Sequence, residues 1–275
     1  MPCALGSAMP PDPSVRTGAF PAGPLRAGII CPERKNFREM PRFLQTIYNE
    51  DLYFYQVDFT KERVMTKNEF MNRLAREPRW SPGWDAIEEE FRRLYPGAAP
   101  EHLATVIAAR AAFGGDQYLD GYSFYSSPKG YLHIVTFGLS ELYGNKRAFG
   151  GAFSGKGCEL TMKVQEKIAS EALWACDILS AIAKFAFERK KHLAPYQLLT
   201  EEELGISRFS QSTVKAVLLI PDTEAQPLRT VYGKVQFLQV LGLTGPQAAA
   251  LLAGESVEEN FEKYMRPHMG DGLFY

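Results

Sequence analysis

The run Gly150-x-x-x-x-Gly155-Lys156-Gly157 comes within one residue of a phosphate-binding loop. That chemistry needs Ser or Thr after the lysine to hold magnesium, and a helix whose first amides cradle the phosphates. Gly157 stands where the hydroxyl is required, and Cys158 to Val164 then alternates like a strand, so the run reads as a flexible loop. Asp116 and Asp120 sit among glycines in Gly114 to Gly121. Paired acids can do acid–base work, but a calcium loop would need ligands on alternate positions and a closing Glu, and a turn is the simpler reading. Cys158 or Cys176 with His133 would make a nucleophile pair, yet both thiols fall on apolar faces, where cysteine behaves as an inert small hydrophobe. His133 alternates with Val135 and Phe137 and reads as a core or hydrogen-bonded histidine. His102, His192 and His268 lie far apart, and no pair has metal-ligand spacing, so neither metal nor cofactor is expected.

One set of side chains suits binding instead. Tyr118, Tyr122, Phe124, Tyr125 and Tyr131 crowd a hairpin-like region, and Tyr143 follows in a loop. Aromatics with polar tips are favoured where a partner chain docks, although alternate members of such a cluster, about half, fill a core.

Bulk properties limit the choices. A chain of 275 residues, 45% hydrophobic and 23% charged, has ordinary globular composition and room for one or two cores. A net charge of −1 supplies no global field toward nucleic acid or an anionic membrane. The four cysteines have no regular spacing, so reduced thiols of a cytoplasmic protein are expected. No apolar run approaches the roughly 18 residues of a membrane span, and no secretory signal pattern opens the chain.

The elements that must position these residues follow from periodicity. Residues 1–25, rich in Pro, Gly, Ala and Ser, read as a disordered leader, and 26–80 as a partly helical N-terminal extension. Within it, Leu52 to Tyr55 is strand-like, and Thr66 with Glu69 forms a capping box for a helix over 67–77. Arg79 to Gly83 is a punctuated linker. Trp84, Ile87, Phe91 and Leu94 trace an amphipathic helix that Pro96-Gly97 ends. Strands are expected near 102–109, 118–126, 131–137 and 158–164, the last half-buried with Glu159, Thr161 and Lys163 outward. Glu171 to Phe187 is a helix so apolar that it must be covered on most sides. Val214 to Ile220 and Thr230 to Leu241 read as strands joined by a Pro-Asp connection, and Thr244 caps a helix to Leu252. Without regular β–α alternation this is an α+β fold: a mixed, largely antiparallel sheet packed with helices.

Blocks of residues then resemble a known family, over about 170 residues from Pro82 to Glu255. They are Trp84-Asp85-Ala86-Ile87, Leu94-Tyr95-Pro96-Gly97 and Leu119-Asp120-Gly121, then Leu132 to Tyr143 reading LHIVTFGLSELY. Ser154-Gly155-x-Gly157-x-Glu159-Leu160-Thr161 and Gly233-x-Val235-x-Phe237-Leu238-Gln239-Val240-x-Gly242-Leu243-Thr244 follow in order. Together they resemble the suppressor-of-fused domain family, with the domain at 81–255 and a C-terminal tail, read as helical, at 256–275. The resemblance implies a compact, non-catalytic domain that binds an extended peptide by strand addition. In the animal proteins the peptide lies in a cleft between this domain and a C-terminal one, and the tyrosine matching Tyr143 binds it with an acid from the next loop. Here Gly144 to Ser154 holds no carboxylate, so the acid has no counterpart. The few residues after Glu255 point to the short, bacterial type of member, thought to act as immunity proteins against toxins.

The expected function is therefore toxin neutralisation by direct binding to a protein partner, with Tyr143, Tyr122, Tyr125 and Asp120 as the contact residues. Two alternatives stand beside it: a hydrolase-like enzyme using Asp116, Asp120 or His133, and a scaffold or regulatory binding protein. An apolar patch over residues 40–80 would favour the scaffold.

Overall fold

A computed structural model describes residues 65–105, 119–190, 192–205, 213–253, 256–270 and 272. All of them fall in the compact unit Thr46–Tyr275. Leu52 to Tyr55, Asp116 and Tyr118 lie outside the described residues.

Helix α1, Lys67–Arg76, starts where the capping box requires: the Glu69 amide donates to the Thr66 hydroxyl, and the Thr66 amide donates to the Glu69 carboxylate at 2.8 Å. Helix α2, Pro82–Leu94, takes Pro82 in its first turn, where a missing N–H costs nothing, and Gly97 with φ +80° turns the chain after it. Strands β1, Glu101–Ala104, β2, Gly121–Ser126, and β3, Leu132–Phe137, make an antiparallel meander that continues into β4, Phe153–Val164. Helix α3, Leu173–Glu188, follows, then β5, Leu198–Thr200, and the short α4, Glu201–Leu204. Strand β6, Val214–Pro221, β7, Leu228–Thr230, and β8, Gly233–Thr244, complete the sheet before α5, Gly245–Leu252, and α6, Val257–Asn260.

The eight strands run β1-β2-β3-β4-β8-β6-β5, with β7 on the β8 edge beyond β6. Only the central β4–β8 pair is parallel among the described pairings, so the sheet is mixed and mostly antiparallel, as the patterning predicts. Helix α3 covers one face, packing Ile178, Leu179 and Ile182 against Ile134, Leu160, Met162 and Val240. Helix α2 covers part of the other with Ile87 and Phe91 over Tyr125, Phe137 and Phe237, while α5 and the segment after α6 cover the β6–β8 end through Leu251 and Phe261.

Three expectations need correction. Strand β4 is not half-buried: from Gly157 to Val164 both faces are covered, with Glu159, Thr161 and Lys163 each 0% exposed. Alternation reports polarity, and here the polar face meets polar partners rather than water, Glu159 from the Thr136 to Ser140 turn and Thr161 and Lys163 from the turn after β6. The strand also begins at Phe153, because Gly155 at φ +55° and Gly157 at φ +80° fold a bulge into the β4–β8 pairing, a backbone path that L residues avoid. The last long strand starts at Gly233, since Thr230 to Gly233 is a tight turn joining the short β7 to β8. Thr244 caps α5 as expected, accepting from the Gln247 amide. Thr244→Ala is expected to cost about 1 kcal/mol, lowering the melting temperature by about 3 °C in calorimetry.

Candidate functional site

The turn from Thr136 to Tyr143 is organised around one buried carboxylate. Glu159 accepts from the Thr136 hydroxyl at 2.7 Å, the Gly138 amide at 3.1 Å, and both the amide and hydroxyl of Ser140 at 2.9 and 2.6 Å. Burial pushes its pKa up to about 6, and these donors pull against that rise. Gly138, at φ +127°, passes so close to Leu119 and Asp120 that a side chain there would collide with their backbone. The bulge at Gly155 packs on the same turn: a Cβ at that residue would strike the Leu139 carbonyl oxygen, and the Lys156 amide donates to it at 2.7 Å. The lysine of the phosphate-loop look-alike donates instead to the Ala186 carbonyl at 3.2 Å in the last turn of α3, where a cation suits the helix dipole.

The turn delivers Tyr143 to the surface, 42% exposed. Its carbonyl accepts from the Tyr232 hydroxyl, which in turn accepts from the Asn145 amide at 3.1 Å. Beside the turn lies a depression of about 370 Å³ whose lining includes Asp120, Ser140, Glu141, Lys156, Phe187 and His192.

The other expected contact residues are placed differently. Tyr122 is buried beneath α3, with its hydroxyl donating to the Cys176 carbonyl at 3.3 Å and bonded to Ser180. Tyr125 is buried on the opposite face, stacked on Tyr95 with ring centroids 5.7 Å apart. Phe124 and Tyr131 are buried too, so within the described part of the aromatic cluster the strands fill the core and only Tyr143, on a loop, reaches solvent. Asp120 is half-buried at the rim of the depression.

His133 does not line that depression. It is fully buried on the α2 face, with Nε2 donating to Asp222 at 3.0 Å and Nδ1 bonded to the Tyr95 hydroxyl at 2.8 Å. Around this pair is an ion network the sequence reading missed. Asp222 accepts from the Glu224 and Ala225 amides at 2.7 and 2.8 Å and from the Thr161 hydroxyl. The Lys163 ammonium sits 3.0 Å from Glu224 and 3.9 Å from Asp222, and the Tyr131 hydroxyl donates to Glu224. Burial alone would raise both acids. His133, bonded to it, and the Lys163 ammonium hold Asp222 well below the usual carboxylate range, and bonds from Tyr131, Lys129 and Lys163 hold Glu224 at about 2. Tyr95 is driven far above an ordinary phenol, first by burial and then by Glu224. The only sequence signal for this network was the charge of Lys163 on an alternating strand, with Pro221-Asp222 in a connection. Among the described residues no group of three or more His, Cys, Asp and Glu side chains is arranged to hold a metal ion, and no helix is long and apolar enough to cross a membrane.

The fold is thus of the α+β class, a mixed sheet with buried ionic groups and a pinned, tyrosine-bearing turn. The family model described as Suppressor of fused protein (SUFU) matches residues 115–267, more than half of the chain. The chain belongs to the suppressor of fused family. The curated Suppressor of fused homologs of Mus musculus and Homo sapiens are each 32% identical over 180 residues, covering 58% of this chain and 35% of theirs. The chain thus spans about a third of the length of those relatives. Among solved structures, a chain of the Sufu–Fu complex superposes with a TM-score of 0.56 at 22% identity, covering 70% of this chain and 89% of that one. Drosophila Suppressor of Fused gives 0.51 at 25% identity, covering 62% and 44%. Three of the blocks that carry the family resemblance meet at the Glu159 turn: Thr136 to Tyr143 wraps the carboxylate, Ser154 to Thr161 supplies the bulge, and β8 flanks it.

Proposed function

We propose that this chain is a non-catalytic protein-binding domain that offers Tyr143 to a polypeptide partner. The finer reading is an immunity-type protein that neutralises a bacterial toxin by direct binding in the cytoplasm. The observation that carries the proposal is the exposed tyrosine on a turn whose backbone is fixed from beneath by Glu159 and from the side by Tyr232. A rigid aromatic anchor binds at low entropic cost, and such anchors dominate interface energy. A solved structure of the same fold is that of a Sufu–Fu complex, which supports a protein as partner. We keep residues 81–255 as the binding domain and Asp120 as a rim contact, while Tyr122 and Tyr125 serve the core. The hydrolase reading gains nothing from the geometry, because His133 is fully buried and does not line the depression that Asp120 borders.

The test is co-expression of the tagged chain with the products of neighbouring genes, followed by light scattering of the purified complex. A one-to-one complex is expected, and Tyr143→Ala should weaken it at least tenfold, about 1.4 kcal/mol, with the melting temperature unchanged. Cells expressing a toxin partner should survive with the wild-type chain and die with the variant. Turnover of a substrate by the purified chain, or a complex indifferent to Tyr143→Ala, would overturn this reading.

A further inference from the structure

Helix α1 lies N-terminal to both the family match and the binding domain at 81–255, yet it packs on the loop that follows Tyr143. Phe70 is fully buried, edge-on to the Tyr232 ring at 5.9 Å and 4.7 Å from the Phe149 ring. Trp80 closes the same cluster 5.7 Å from Phe70, with the Arg73 guanidinium 4.1 Å over its ring. One turn along α1, Leu74 lies against Gly144 so tightly that a Cβ there would collide with its methyl group. The loop is thus held at three points: Leu74 on Gly144, Phe70 on Phe149, and the Tyr232 hydroxyl bridging the Tyr143 carbonyl and the Asn145 amide. Its far end is tied by the Gly150 amide, which donates to the Val231 carbonyl at 2.9 Å.

We infer that α1 is a clamp for the Tyr143 loop, and that Phe70, Leu74 and Tyr232 are positioning residues for binding at Tyr143. The inference rests on the proposal that this loop meets a partner. The physical reason is pre-organisation. A loop with three glycines, Gly144, Gly150 and Gly151, has wide backbone freedom when released, and binding would then have to restore its order. Fixing it beforehand through apolar contacts removes that penalty without any of the three side chains touching the partner. Phe149 supplies the loop's own anchor for the helix.

Two variants in the full chain test the clamp. Tyr232→Phe removes the bridging hydroxyl and keeps the ring, and Leu74→Ala removes the contact on Gly144. Amide hydrogen exchange should show Asn145 and Gly150 losing at least tenfold in protection, while the strand amides of Val135, Leu160 and Val240 change less than twofold. The affinity of the captured partner should fall about tenfold in both variants. Unchanged exchange at Asn145 and Gly150, or an equal loss across the strands, overturns the clamp. Loosened loop amides with unchanged affinity, for a partner that does require Tyr143, also overturn it and leave the binding site standing. A partner indifferent to Tyr143→Ala refutes the site itself, and the exchange data then decide the clamp alone.

Discussion

Asp222→Ala, in the turn that follows β6, is expected to cost about 3–5 kcal/mol in denaturant unfolding at pH 7. The Asp222 carboxylate is fully buried, and removing it strips His133 Nε2, the Thr161 hydroxyl and the Glu224 and Ala225 amides of their acceptor. Lys163 would keep only Glu224 as an anionic partner in a place with no exposure of its own side chain. A buried cation that loses a counter-charge costs more than the intact pair contributes. Asp222→Asn should cost less, because it retains an acceptor while losing the charge. The pH dependence follows from the direction of the shifts. Asp222 and Glu224 both titrate lower in the folded chain than in the unfolded one, so their stabilisation is complete above ordinary carboxylate pKa values. It is lost as pH falls through the folded values, so acid unfolding should steepen from about pH 4 downward, and Asp222→Asn should blunt that slope. A variant as stable as the wild type would show that the network contributes nothing to the fold.

Glu159 is expected to behave with the opposite sign. Its folded pKa is pushed up to about 6 from 4.5, so the folded chain holds this proton more tightly than the unfolded chain. Stability from this group is therefore largest below pH 4.5 and is lost as pH rises through about 6. The difference between wild type and Glu159→Gln isolates it: the wild type should gain roughly 2 kcal/mol on the variant between pH 7 and pH 4.5. A flat difference across urea titrations at pH 7, 5.5 and 4.5 would refute the assignment. Glu159→Ala is the harsher change. It leaves the Gly138 and Ser140 amides and the Thr136 and Ser140 hydroxyls without their acceptor, which should cost about 4 kcal/mol at pH 7. Because these donors form the turn that carries Tyr143, partner binding should fall with it.

Local features were fixed by local chemistry. The capping box at Thr66, the helix cap at Thr244, the Pro96-Gly97 stop and the apolar character of α3 were legible because each rests on neighbours within a few residues. The mixed, mostly antiparallel sheet followed from the order and spacing of the strands, and the family resemblance from blocks that occur in order along the chain. What the tertiary structure decided is where polarity goes. Glu159, Thr161 and Lys163 look like the wet side of a strand, yet β4 lies at the centre of the sheet and both its sides are covered. The partners of Thr161 and Lys163, Asp222 and Glu224, are some 60 residues away in sequence, brought over β4 by the turn that follows β6 where it pairs with β8, and Glu159 meets the Thr136 to Ser140 turn. The same holds for the aromatics. Tyr122, Tyr125 and Tyr143 are alike in composition, and burial separates them: two stand on strands between helices, and one on a loop that a helix more than sixty residues upstream holds in place. Periodicity carries the direction a side chain takes from its own strand, but the sequence holds no comparable record of what arrives from the rest of the fold to meet it.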